Sequence, residues 1–247
     1  MLLEKKKINK IIIFRLVVAW TFWTVVFFPL LFIPRRFHYG IFWKIFSGLF
    51  LWANKIKVKY ASDIDLNNLS EPVIFAANHK GYFDAYVIIN LLRKPFSIVY
   101  NESMDRNPFY KLVARKMGLV PLRRDLHYSQ KDSFSKITNL IDKKYSIIMF
   151  PEGWHIIDNE IAQFKRGIAK IAKDTGVAVM PMAIYGLNDN FRYEKKLFWR
   201  TVYIKTSSPI KYNQYNDDDL FLKDLRERVA ELYKSLEKEY GNQERSK

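Results

Sequence analysis

Cysteine is absent from all 247 residues, which removes disulfide frameworks, thiolate nucleophiles and cysteine-ligated zinc or iron–sulfur centres together. A reducing cytoplasmic setting is thereby permitted. No Gly/Ser linker, internal repeat or low-complexity tract divides the chain, and its length suits one sizeable core with an accessory segment rather than two large domains. No serine stands in a Gly-x-Ser-x-Gly elbow, which argues against a hydrolase of that kind. Acidic residues are scarce beside basic ones, 25 Asp and Glu against 41 Lys and Arg, giving a formal net charge of +16. Such a surface attracts a polyanion: nucleic acid, anionic lipid headgroups or a phosphorylated substrate. The basic residues are spread along the chain with no recognised nucleic-acid-binding motif, so nucleic acid is not the expected partner.

What the chain has in quantity is apolar sequence near its start. From Ile11 to Ile33 it reads IIIFRLVVAWTFWTVVFFPLLFI, long enough to span a bilayer as a helix and broken by Arg15 and Pro29. A signal peptide is the alternative, but its apolar region would be shorter and would end at a small-residue cleavage site, whereas this run ends in Pro34, Arg35 and Arg36. In the stretch that follows, Trp43, Phe46, Phe50 and Ala53 recur at three to four residue spacing, the pattern of an interfacial helix. Lys5, Lys6, Lys7 and Lys10 precede the first run and Arg35 and Arg36 follow it, so the positive-inside rule favours neither orientation of a full span. The expectation is a helical hairpin over residues 1–57, sunk into one leaflet on the cytoplasmic face of the membrane, with a catalytic domain over 58–247.

Past Val58 the sequence reads as an α/β domain with a largely parallel central sheet flanked by helices. VIFAA from Val73, FSIVY from Phe96, SIIMF from Ser146, AVMPMAIY from Ala178 and TVYIKT from Thr201 are near-continuous apolar runs, as expected of strands covered on both faces. Ile161, Phe164, Ile168 and Ile171 share one face of a helix expected over about 161–175, with Gly176 as its C-cap. The cluster Asp217, Asp218 and Asp219 suits the N-terminus of another helix, with Leu225, Val229, Leu232 and Leu236 on one stripe. The polar tail after Tyr240 reads as frayed.

The chemistry centres on NHKGYFD, Asn78 to Asp84, directly after the VIFAA strand. A histidine whose Nδ1–H is held by a carboxylate keeps Nε2 free as a base, able to deprotonate a hydroxyl as it attacks. His127 and Asp132 repeat the spacing. His79 is preferred because it falls at the C-terminal edge of the sheet, where α/β folds place ligands; His127 lies in the polar run RRDLHYSQKD and reads as a surface loop.

NHKGYFD is followed in order by GLVPLRR (Gly118 to Arg124), FPEG (Phe150 to Gly153) with FKRG (Phe164 to Gly167), and VMPMAI (Val179 to Ile184). Through these blocks the chain resembles the 1-acylglycerol-3-phosphate acyltransferase family, within the wider lysophospholipid and glycerolipid acyltransferases. The resemblance implies direct acyl transfer from acyl carrier protein, coenzyme A or acyl phosphate to a lysophospholipid acceptor, without an acyl-enzyme intermediate, metal or cofactor. It makes His79 and Asp84 the catalytic pair and gives Asn78, Arg123, Arg124, Glu152, Gly153, Lys165 and Arg166 to substrate binding. Glu152 is expected to organise the acceptor end of the pocket, against the alternative of a solvated turn carboxylate. Arg124 reads either as a phosphate ligand or as part of a solvated basic face, as do Lys165 and Arg166. The turns at Gly81 and Gly153 are candidate sources of N–H donors for a tetrahedral oxyanion.

Two places depart from the family pattern. Trp154, His155 and Ile156 follow FPEG where the family carries Thr-Arg-Ser, and Asn101 and Glu102 stand where lysine is usual. Charge-assisted phosphate contacts are thereby lost, so either Arg123, Arg124, Lys165 and Arg166 compensate or the acceptor carries a different headgroup, with Trp154 and His155 lining its pocket. Phosphatidic acid made from lysophosphatidic acid is the leading expectation. A non-catalytic basic membrane scaffold is the alternative of another class.

Overall fold

The computed structural model describes residues 41–81, 83–122, 127–153, 161–187 and 200–245. The Ile11–Ile33 run, Arg123, Arg124, Trp154 and His155 lie outside them. In chain order the elements are α1 (Ile41–Ala53), β1 (Ile56–Tyr60), β2 (Val73–Ala77), α2 (Asp84–Leu91), β3 (Phe96–Asn101), α3 (Pro108–Met117), β4 (Val120–Leu122), α4 (His127–Asp142), β5 (Ser146–Met149), α5 (Gly167–Thr175), β6 (Ala178–Tyr185), β7 (Arg200–Thr206) and α6 (Asp218–Arg245).

The strands form one sheet in the order β1-β7-β6-β2-β5-β3-β4. Neighbours from β6 to β4 are parallel, as helical crossovers between successive strands require. β7 pairs antiparallel with β6, and β1 pairs parallel with β7. β7 and the edge strand β1 therefore run against the other five, and the start of β1 lies at the end of the sheet where β2, β5 and β6 finish. β2 is buried along its whole length, as are Ser146–Met149 of β5, which explains the lack of apolar alternation in these runs. Ile74, Ile147, Ile148, Val179 and Met180 are fully inaccessible, and each such side chain contributes about 1.5–3 kcal/mol relative to an exposed one. No helix among the described residues is long and apolar enough to cross a membrane.

α1 packs by its inner face. Trp43, Phe46 and Leu51 are buried, Trp43 contacts Phe96 of β3, and Phe50 stacks on Tyr86 of α2 at 4.2 Å between ring centroids. Its outer face carries Ile45, Leu49 and Trp52, which are 55%, 45% and 65% exposed. At the other end of the chain, Asp217 caps α6 by accepting the Leu220 N–H at 2.8 Å, as its acidic cluster predicts. Phe221, Leu225, Val229 and Leu236 of that helix are fully buried.

All five expected strands are present, and four readings change. β1 was absorbed into the apolar stretch before it; Lys57 and Lys59 alternate along it, as on a guarded edge strand. β4 contains Pro121, which an edge strand tolerates. His127 opens α4 rather than lying in a loop, because Ile137 and Ile141 bury at helical spacing and Ser133 Oγ donates to the Pro121 carbonyl at 2.6 Å. Residues after Tyr240 continue α6 to Arg245 rather than fraying, Tyr240 stacking on Tyr203 at 3.8 Å.

α5 ends as the sequence predicts, at Gly176 with φ of 65°. A Cβ there would meet no heavy atom within 4 Å, so the only cost of a side chain is the left-handed backbone itself. Gly176→Ala is expected to lower stability by about 1–2 kcal/mol, and Gly176→Asn by less, read from urea midpoints at unchanged slope. An alanine variant as stable as the parent contradicts this.

Candidate active site

β2 delivers its C-terminal residues to the sheet edge and the chain turns at once into α2. Asn78 fastens the exit: its Nδ2 donates to the Ile184 carbonyl at 3.0 Å and its Oδ1 accepts the Ile184 N–H at 2.7 Å. Both functional groups of the fully buried Asn78 side chain therefore face the β6 backbone, not a substrate. The next residue, His79, places Nδ1 2.7 Å from Asp84 Oδ2. Asp84, fully buried in the first turn of α2, also accepts the N–H of Lys80 at 2.6 Å and of Gly81 at 2.9 Å on that same oxygen. An oxygen receiving two backbone N–H bonds also accepts the Nδ1–H of His79, which fixes the tautomer and leaves the Nε2 lone pair for chemistry. Phe150 stacks on the imidazole at 4.3 Å and 21° between planes. The ring stays 23% exposed on its open side.

The second strand end to reach this edge is β5. Phe150 to Gly153 turn sharply, Gly153 adopting φ of 75° and donating its N–H to the Phe150 carbonyl at 3.0 Å. The turn sends the Glu152 carboxylate inward. Oε1 accepts the His79 N–H at 2.7 Å and Oε2 the Ala162 N–H at 2.9 Å. Burial pushes the Glu152 carboxyl pKa up, opposed by those two N–H groups and by the charges of Lys80 and His79. Glu152 is thus neither a solvated turn carboxylate nor aimed at an open pocket by these bonds. It holds the His79 backbone while Asp84 holds the ring.

The oxyanion-donor reading changes for the same reason. The N–H of Gly81 is taken by Asp84 and that of Gly153 by Phe150, so each closes its own turn.

Residues 161–166 bury Ile161 and Phe164 as expected, yet the helix begins only at Gly167. Their backbone groups have distant partners in place of helical ones. Ala162 N–H goes to Glu152, Lys165 N–H to the Pro151 carbonyl, and the Ile161 and Ala162 carbonyls accept from the Arg226 guanidinium at 2.6–3.1 Å. Lys165 and Arg166 are exposed, and Arg166 Nη2 pairs with Asp219 of α6 at 2.9 Å, a surface contact of little energetic weight. Asn101 accepts the Ser103 N–H at 3.0 Å, capping the short helical turn that carries Glu102. Phe150 and Arg226 are the members of the site that motif reading passed over. Phe150 stood in FPEG without a role, and nothing in the sequence near Arg226 distinguishes it from other basic residues on a covering helix.

The acyltransferase family profile matches residues 56–185, more than half of the chain. A chloroplastic 1-acyl-sn-glycerol-3-phosphate acyltransferase of Arabidopsis thaliana is 30% identical over 161 residues, covering 64% of this chain and 44% of that protein. The 1-acyl-sn-glycerol-3-phosphate acyltransferase of Escherichia coli is 24% identical over 193 residues, 77% of each chain. This chain spans less than half the length of the chloroplastic relatives it matches. Among solved structures, the 1-acyl-sn-glycerophosphate acyltransferase PlsC of Thermotoga maritima superposes with a TM-score of 0.69 at 18% identity, over 93% of this chain and 96% of that one. That likeness carries the fold. The profile match encloses the whole turn from Asn78 to Asp84 and the FPEG turn that grips it, and the chain belongs to the acyltransferase family.

Proposed function

We propose that this chain transfers a fatty acyl group to the free hydroxyl of 1-acyl-glycerol-3-phosphate, giving phosphatidic acid, with His79 as general base and Asp84 as its orienting partner. The observation that carries the reading is the 2.7 Å contact from Asp84 Oδ2 to His79 Nδ1 at a strand-end turn inside the family match. It leaves Nε2 as the base at the open edge of the sheet. As the acceptor oxygen forms its bond to the acyl carbonyl carbon, Nε2 takes the hydroxyl proton. Collapse of the tetrahedral intermediate breaks the bond to the thiolate or phosphate of the donor, which can recover that proton from the imidazolium. The donor is acyl carrier protein, coenzyme A or acyl phosphate. The relatives named above as 1-acyl-sn-glycerol-3-phosphate acyltransferases favour lysophosphatidic acid as acceptor. The Trp154 and His155 departures favour, as the second reading, another lysolipid headgroup.

The proposal includes the cytoplasmic face of the membrane as the working location. α1 supports it by presenting Ile45, Leu49 and Trp52 outward at helical spacing, and α1 ends where β1 begins, at the sheet edge that carries His79. A ridge of that kind beside Lys44 and Lys55 suits an anionic lipid surface.

His79→Ala is expected to lower acyl transfer to lysophosphatidic acid by about 10²–10⁴-fold, the span of general-base catalysis. Asp84→Asn should keep the fold and lose most of kcat, and His127→Ala should match the parent. Equal losses at His79 and His127, or an active His79→Ala protein, would sink the dyad; a purified parent with no transfer to any lysolipid would favour the scaffold. If Arg124 holds the acceptor phosphate, Arg124→Ala raises the acceptor KM about tenfold or more while the donor KM holds, since a charge-assisted bond is worth about 1.5–3 kcal/mol. An equal rise for acceptors without phosphate rules that contact out. Leu49→Asp and Trp52→Asp should weaken sedimentation with anionic vesicles at unchanged melting temperature, and unaltered sedimentation removes α1 from the membrane contact.

A further inference from the structure

In residues 161–166 the side-chain pattern and the backbone disagree. Ile161, Phe164 and Ile168 have the spacing of a helix face and all three are buried, yet the helix begins only at Gly167. In a helix the carbonyls of Ile161 and Ala162 would accept the N–H groups of Lys165 and Arg166. Here the Lys165 N–H goes to the Pro151 carbonyl at 2.8 Å. A guanidinium on α6 takes the place of the helical donors. Arg226 Nε donates to the Ile161 carbonyl at 2.9 Å and to that of Ala162 at 3.1 Å, and Nη2 donates to the Ile161 carbonyl at 2.6 Å. A rigid fork of donors can serve two adjacent carbonyls, as a single ammonium does not, and such charge-assisted bonds are stronger than neutral ones.

From those carbonyls a continuous line of bonds leads to the base. Ala162 donates its N–H to Glu152 Oε2 at 2.9 Å, and Oε1 of the same carboxylate accepts the His79 N–H at 2.7 Å. Glu152 is 3% exposed, so bulk water does not replace a donor lost there. The last torsion of a glutamate is soft, and bonds to both oxygens are what hold this carboxylate in one orientation.

We infer that Arg226 is a positioning residue for acyl transfer: by taking the carbonyls of Ile161 and Ala162 it keeps residues 161–166 out of a helix, which fixes the Ala162 N–H on Glu152 and, through the other oxygen of that carboxylate, the backbone of His79. The inference rests on the general-base reading of His79. Without the guanidinium the two carbonyls lose their donors, and the helical spacing of Ile161, Phe164 and Ile168 lets the segment wind toward Gly167. The Ala162 N–H then leaves Glu152, and a carboxylate released on one oxygen turns away from the His79 N–H.

The test uses the full chain as parent, Arg226→Ala, Arg226→Lys, Glu152→Gln and the double variant Arg226→Ala with Glu152→Gln. Arg228→Ala is the control, because Arg228 pairs with Asp224 on its own helix at 2.8 Å. Arg226→Ala is expected to lower kcat for transfer to lysophosphatidic acid by about tenfold to a hundredfold, the scale of a small misplacement of a catalytic group, with donor and acceptor KM little changed. Arg226→Lys, able to meet one carbonyl but not to fork, should recover part of that loss, and Arg228→Ala should match the parent. The double variant should be no worse than Glu152→Gln alone. Amide exchange at His79 and Ala162 should quicken in Arg226→Ala while the amides of the β2–β5 ladder keep the parental rate, which separates a local release from general loosening. Should Arg226→Ala fail to fold, Arg226→Lys carries the same measurements with smaller effects in the same direction. A parental kcat in the folded variant, equal losses at Arg226 and Arg228, multiplicative losses in the double variant, or exchange that is unaltered at both amides or faster throughout the sheet overturns the inference. Failure of the general-base reading shows separately, as an active His79→Ala protein; the exchange measurement needs no turnover and still decides whether Arg226 holds Ala162 and His79.

Discussion

The Asp84 carboxylate is taken wholly out of water, and the effective penalty for a buried ion is several kcal/mol unless hydrogen bonds replace its hydration. Here the replacement is local. The turn between β2 and α2 bends so that the N–H groups of Lys80 and Gly81 and the Nδ1–H of His79 converge on one oxygen, and the first turn of the helix adds its own favourable field for an anion. The other oxygen, Oδ1, is buried with no hydrogen-bond partner among the described residues. All of the compensation therefore falls on one oxygen, and a partial rotation of the carboxylate loosens three bonds at once. This single constraint fixes the imidazole, the turn and the start of α2 as one unit.

That unit is in turn fixed to the sheet from two sides. Asn78 bonds both ways to Ile184, so β2 cannot slide against β6 at the point where it leaves the sheet. Glu152 bonds from the end of β5 to the His79 backbone. β6 and β5 are the two neighbours of β2, and the catalytic turn is thus held by both. Stacking of Phe150 on the imidazole comes from the same turn that supplies Glu152. One sharp bend, permitted by the positive φ of Gly153, therefore positions both a ring and a carboxylate.

The parts legible in the sequence were those set by local pattern. Buried strands announce themselves as near-continuous apolar runs, and β2, β3, β5, β6 and β7 were found in that way; β1 and β4 escaped because edge position permits lysine and proline, which erase the strand signal. His79 and Asp84 could be paired because they lie within one turn of chain. The partners of Asn78 and Glu152 could not be read, since their bonds reach Ile184, His79 and Ala162 across gaps in sequence that only the sheet order closes. The late start of α5 has the same origin. Ile161, Phe164 and Ile168 have helical spacing, but three non-local hydrogen-bonding partners outcompete the helical ones for residues 161–166, and periodicity reports burial without reporting where backbone groups bond.

The family match stops at residue 185, yet the active edge leans on residues well beyond it. Arg226 and Tyr233 of α6 approach Ile161–Ala162 and Lys80 from outside the matched segment. They are seven residues apart, two helical turns, so one face of α6 addresses both. The same face carries Val229 and Leu236 into the core over β6 and β7. The apolar burial that seats this helix also sets where its guanidinium and its aromatic ring meet the edge. A substitution in the core under α6 should consequently be felt at His79 through the Ala162–Glu152 chain of bonds, without touching any residue that bears on the chemistry.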